Sequence, residues 1–135
     1  METLTFRSKY NYASSGAAIE VPISLRLGAA RSVRLLAKVD TGATFCIFPR
    51  EYAEQLGLDV ESGHGQAVAT ATGRFDAYGH TLTLGCLDWK FETMVYFAAM
   101  ADFPRSVVGR AGWLQNFRLG LIDYDTILLL SHHDD

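Results

Sequence analysis

In the stretch KVDTGATFCIFP, residues 38–49, Asp40 stands between an apolar run ending at Val39 and a tight Thr41-Gly42 turn. A second apolar run, from Phe45 to Phe48, follows at once. A carboxylate at the end of a strand can give or take a proton, but a single one cannot serve as acid and base in the same step. Asp, Thr and Gly also populate ordinary turns, so the triplet by itself is compatible with a plain turn. Much later the chain carries Ser106-Val107-Val108-Gly109-Arg110, two β-branched residues closed by a glycine and an arginine.

Other groups capable of chemistry have weaker patterns. Cys46 and Cys86 show no CxxC or Cys/His spacing and read as reduced, buried thiols. His132-His133-Asp134-Asp135 contains metal-ligating types, but nothing upstream completes a site, and a polar tail is the simpler reading. Gly63-His64-Gly65 is too short for a dinucleotide fingerprint and reads as a loop. Asp123-Tyr124-Asp125 fits a hairpin turn, and Trp89 and Trp113 fit core anchors beside turns. No metal and no organic cofactor is implied.

The elements that must position these residues are short. Length, at 135 residues, fits one domain over 1–135 with a core that needs no staples, and 49% hydrophobic against 20% charged residues is an ordinary globular balance. A net charge of -3 with scattered Lys and Arg offers no counter-field for nucleic acid or anionic lipid. No basic leader or run of 18 apolar residues is present, so a cytoplasmic chain with no membrane partner is expected.

β-Branched and aromatic residues gather in runs broken by turn signals, which predicts an all-β chain. The runs are 4–12, 19–27, 32–39, 45–48, 65–71, 74–84, 90–97, 119–123 and 126–130. Gly85-Cys86-Leu87-Asp88 is expected to turn a hairpin. Pro49 opens a short helix over 50–56 that Gly57 stops, and a second short helix is expected over 111–117.

Val39-Asp40-Thr41-Gly42-Ala43 resembles the active-site motif of aspartic proteases, and Ser106 to Arg110 resembles the apolar-apolar-Gly motif that follows it in the retroviral branch. Order, spacing and flanks agree from Ile19 to Leu130, which points to the retropepsin-like family. The resemblance implies a closed acid-protease β barrel. With one Asp-Thr-Gly motif where pepsins carry two, it also implies a homodimer acting as an endopeptidase on peptide or protein substrates. Asp40 would be catalytic, paired with its own copy across a water. The Thr41 hydroxyl would bond to the partner's loop, and Gly42 would let the substrate backbone approach.

Ala43 stands where pepsin-like members usually carry a serine that supports the ionised acid. An activity optimum nearer mild than strong acid is therefore expected. Residues 65–84 would form the flap, with Thr70, Ala71, Thr72 and Gly73 at or near its tip. Ile47, Val107 and Val108, with Gly109, are expected to line the pocket or fill the core. Retroviral enzymes commonly place an Asp where this chain has Thr44, and it pairs with the arginine matching Arg110. Here Arg110 is left to Asp123, Asp125 or a carbonyl. The rival is a catalytically inactive peptide-binding or assembly domain of the same fold. Ile127-Leu128-Leu129-Leu130 would pair with a partner chain if its strand lay at a sheet edge.

Overall fold

The computed structural model describes residues 1–13 and 16–135 and is built almost wholly of strands with one short α-helix. Strand β2 (Glu20–Leu27) buries Val21, Ile23 and Leu25 at every second position, the period a half-buried strand requires. It pairs antiparallel along its whole length with β3 (Arg31–Val39), from Leu27↔Arg31 to Glu20↔Lys38. Strand β3 runs straight into Asp40.

Strand β4 (Ile47–Phe48) is short and leads through Pro49 into helix α1 (Arg50–Gln55). Gly57, at φ +78°, stops the helix: its N–H bonds to Glu54 O (3.0 Å), and the Leu58 N–H bonds to Ala53 O (2.9 Å). The Arg50 guanidinium holds α1 down, donating to both carboxylate oxygens of Glu61 and to Ala99 O (3.1 Å).

Strands β5 (His64–Thr70), β6 (Gly73–Cys86) and β7 (Trp89–Ala98) form a long antiparallel meander. Strand β8 (Val107–Val108) lies parallel to β3 and antiparallel to β4, so it separates two strands that are neighbours in sequence. The larger sheet has the order β2-β3-β8-β4-β7-β6-β5, and β2 pairs with β6 as well. A smaller sheet holds β1 (Ser8–Asn11), β10 (Ile127–His132) and β9 (Phe117–Ile122), in that order. One apolar cluster joins both sheets, with Val21, Leu25, Phe48, Phe97, Trp113, Leu128 and Leu130 among its fully buried members. No helix among the described residues is long and apolar enough to cross a membrane.

Four expectations are corrected. The helix over 111–117 shrinks to a single 3-10 turn at Leu114–Asn116. Gly112, at φ +98°, lies so close to β7 that a Cβ there would come within 2.8 Å of Met94 O, and Phe117 already belongs to β9. The turn of the β6–β7 hairpin is Leu87-Asp88 alone, because Gly85 and Cys86 still pair with Lys90 and Trp89. Gly85 instead lies where β2 crosses, and a Cβ would stand 2.3 Å from Ser24 Oγ, so a larger residue would require that hydroxyl to rotate.

The run over 4–12 forms a strand only from Ser8, since the Arg7 N–H goes to the Ser131 hydroxyl (2.8 Å) rather than to a backbone partner. Finally, Ile127 to Leu130 are not at an edge. They sit between β1 and β9, with Leu128 and Leu130 fully buried.

Candidate active site

Asp40 is fixed from three directions. Its N–H donates to Val108 O (3.0 Å), adding a rung beyond the Val39↔Val108 pair. Its carbonyl accepts the Ala43 N–H (3.1 Å), and its Oδ1 accepts the Gly42 N–H (3.0 Å), a side-chain-capped turn that Asp is suited to make. The carboxylate is half-buried, and Oδ2 has no hydrogen-bond partner among the described residues. Thr41 and Gly42 are exposed.

The second motif is stitched to the first by backbone. The Arg110 N–H donates to Ala43 O and the Ala111 N–H to Thr44 O, both at 2.8 Å. Gly109 lies where they cross: a Cβ would come within 2.4 Å of Phe45 O and 2.6 Å of Ala43 O. Only glycine fits that contact without moving backbone. Gly42 differs, since the nearest atom to a Cβ there is Asp40 Oδ1 at 3.4 Å, an ordinary contact. Nothing within the chain demands glycine at that turn.

The Asp40 loop lies against a cleft of about 610 Å³. Gly42 to Phe45, Ile47 and Val107 form one side, and Ala67 to Thr70 and Phe75, from the β5–β6 hairpin, form another. Phe103 and Arg105, from the segment before β8, complete it. Its apolar wall is the packed group of Ile47, Ala77 and Tyr96 with Phe45, Val68, Phe75 and Phe103. Ring pairs Phe45–Tyr96 and Phe75–Phe103 each have centroids 4.8 Å apart, within the range of favourable aromatic contact. Asp40 and Arg105 are the charged residues among those lining the cleft.

The structure brings together Asp40, Gly42, Ala43, Ile47, Thr70 and Val107 around this cleft. Val108 faces the other way and is fully buried in the core. Thr70 pairs with Gly73 across the hairpin end, its Oγ1 also donating to Gly73 O (3.0 Å), while Ala71 and Thr72 form the exposed turn. The expected pairing of Arg110 with Asp123 or Asp125 is not formed. Arg110 is exposed, with no side-chain partner among the described residues, and Asp123 instead accepts from the Tyr12 hydroxyl (2.5 Å). Sequence reasoning did not single out Phe75, Phe103 or Arg105 for the site. The available signal was position, since Phe103-Pro104-Arg105 directly precedes the Val-Val-Gly motif.

The remaining reactive groups are elsewhere. Cys46 and Cys86 are free and buried, and burial pushes their thiols up to about 12 and about 11. A thiol so raised stays protonated at neutral pH and is a poor nucleophile. His132, His133 and Asp134 bring ligand-type atoms within 4.8 Å of one another on the turn after β10. This is an ordered turn rather than a loose tail: the His133 N–H donates to Asn116 O (2.9 Å), and Asp135 pairs with Arg7 (2.8 Å). His132 and Asp134 already bond each other there, which holds the Asp134 carboxyl below its usual range.

A family model described as aspartyl protease matches residues 21–109, which span the Asp40 loop, the β5–β6 hairpin and Val107 to Gly109. No curated protein matches the sequence. Among solved structures, the fold is similar to the crystal structure of a retropepsin-like aspartic protease from Rickettsia conorii. The TM-score is 0.63 at 20% identity, over 92% of this chain and 99% of that one. With an Asp-Thr-Gly turn cross-bonded to a Val-Val-Gly strand at a cleft, the chain belongs to the aspartyl protease family, and its fold is similar to that of a retropepsin-like member.

Proposed function

We propose that this chain is an aspartic endopeptidase that works as a homodimer, with two copies of Asp40 facing each other across a water. The observation that carries the reading is Asp40 itself: its backbone is locked by Val108 and one carboxylate oxygen by Gly42, while the other oxygen has no hydrogen-bond partner among the described residues and lies beside a largely apolar cleft. As is general for aspartic proteases, two close carboxylates share one proton, so one deprotonates the water while the other donates to the scissile carbonyl. The chain supplies a single such acid to the cleft, and two-fold symmetry supplies the second.

Several features support the same reading. Gly42 has room for a side chain within its own chain and leaves the backbone open to the close approach of a bound peptide or a partner. The β5–β6 hairpin, with Thr70 to Gly73 at its end, lines the cleft with Ala67 to Thr70 and Phe75, which supports reading it as a flap. The β2–β6 pairing supports a closed barrel, and the apolar cluster that joins both sheets supports a single domain over 1–135. The edges of β1 and β9, with Leu121, Ile122 and Tyr124 exposed at and just beyond the end of β9, suit pairing with a second chain. Two free buried thiols suit a reducing compartment such as the cytoplasm.

Asp40→Asn is expected to abolish cleavage of a peptide library while leaving the circular dichroism spectrum and the sedimentation coefficient unchanged. Retained cleavage would reject the assignment. A second reading, a non-catalytic peptide-binding or assembly domain, is favoured by Arg110, whose guanidinium lacks the acidic partner that Thr44 cannot supply. A strictly monomeric and inert protein at micromolar concentration is the result that reading expects.

A further inference from the structure

The cleft carries one positive charge, and nothing in the Asp40 chemistry uses it. Arg105 lines the cleft beside Phe103 and Val107, is exposed, and makes no ion pair or side-chain hydrogen bond among the described residues. Its backbone is held on both sides. Two residues before it, Phe103 packs on Phe75 with centroids 4.8 Å apart, and one residue after it, Ser106 O accepts the Lys38 N–H at 2.8 Å. The guanidinium is therefore presented from a tethered segment. The adjoining depression is lined by Glu20 and Lys38 as well as Arg105, and none of the three makes an ion pair among the described residues.

We propose that Arg105 makes the cleft select peptides bearing a carboxylate side chain near the scissile bond. The inference rests on the endopeptidase reading and adds a substrate class to it. Lys38 pairs with Val107 and Val39 with Val108, so Asp40 falls level with Gly109, and Arg105 lies four residues before Gly109 in the chain. An extended peptide advances about 3.3 Å per residue, which places the acidic side chain within roughly four residues of the cleaved bond. Apart from Asp40, Thr44 and Thr70 the remaining lining is aromatic, aliphatic or glycine, and it offers that carboxylate no competing cation. In a symmetric dimer the second Arg105 repeats the preference on the other side of the bond.

The test compares two extended peptides that differ only by Glu or Gln at the selected position, the position being found first by library digestion. Wild-type protein should cleave the Glu peptide with kcat/KM roughly fivefold higher, the scale of a partly exposed ion pair. The ratio should shrink as salt is raised. Arg105→Gln should bring it close to one, and Arg105→Glu should invert it. Equal cleavage of the two peptides by wild-type protein, or a ratio unchanged in Arg105→Gln, overturns the proposal. If no peptide is cleaved, the endopeptidase reading fails separately, and fluorescence anisotropy of the same labelled peptides on the wild-type protein decides the charge preference. Tighter binding of the Glu peptide that Arg105→Glu reverses supports it, whereas equal binding or none overturns it.

Discussion

Gly109→Ala tests whether the two motifs are held together as tightly as their geometry implies. The new methyl carbon would stand 2.4 Å from Phe45 O and 2.6 Å from Ala43 O, both of them backbone atoms that no rotamer change can clear. A carbon and a carbonyl oxygen normally approach to about 3.3 Å, so the loops must part by roughly 0.9 Å. That displacement stretches the Arg110 N–H bond to Ala43 O and the Ala111 N–H bond to Thr44 O, each now 2.8 Å, beyond useful length. Overpacking costs about 1–3 kcal/mol, and two net hydrogen bonds about 1 kcal/mol each, for roughly 3–5 kcal/mol in all.

Gly42→Ala is the matched control. Its methyl would meet only Asp40 Oδ1 at 3.4 Å, and its expected effect on stability is within about 0.5 kcal/mol. Urea unfolding followed by fluorescence of Trp89 and Trp113 measures both. A Gly109→Ala loss under about 1 kcal/mol, or equal losses for the two variants, would refute the reasoning. Gly42→Ala protein that folds normally yet no longer cleaves would assign the constraint at that turn to what binds there.

Two further outcomes follow from charge and burial. Ala43→Ser adds a hydroxyl beside the Asp40 loop that can donate to the ionised acid, so the pH optimum of cleavage should move toward stronger acid. An unchanged or more alkaline profile contradicts that role for Ala43. Cys46 and Cys86 are raised on folding to about 12 and about 11 from the ordinary value of 9.0, because burial penalises the thiolate. Their contribution to stability is complete below about pH 9 and is lost as pH rises through the folded values. Urea midpoints should therefore fall above pH 9 by less in a Cys46→Ala, Cys86→Ala double variant than in the wild type, and alkylation of native protein at pH 8 should be slow.

The parts of the fold legible in the sequence are those set by near neighbours. Alternation in residues 20–27 reports a half-buried strand without help from elsewhere, and Pro49 and Gly57 bracket α1 by their own backbone preferences. The Asp-Thr-Gly turn and the Val-Val-Gly run were visible as types and spacing, and the structure brings the two together. What was not legible depends on distant partners. The stretch 111–117 is compatible with a short helix but is drawn against β7 at Gly112, and Gly85 reads as a turn residue because nothing local reveals that β2 passes over it. Ile127 to Leu130 looked like an open edge because the strand that covers them, β1, comes from the other end of the chain. Phe103 and Arg105 lie in a segment without regular structure, where no periodicity signals which way a side chain points.

The placement of β8 between β3 and β4 also bears on how the molecule is made at the ribosome. A nascent chain that has emerged only as far as Ala98 carries Asp40 on the loose end of β3, with no Val108 carbonyl to receive its N–H and no Gly109 to bind the Ala43 loop. Synthesis proceeds from the N-terminus at about 5–20 residues per second, so the acid is exposed for seconds before its geometry exists. The Asp40 loop is thus among the last parts of the chain to reach its final geometry, because the strand that fixes it is made long after it.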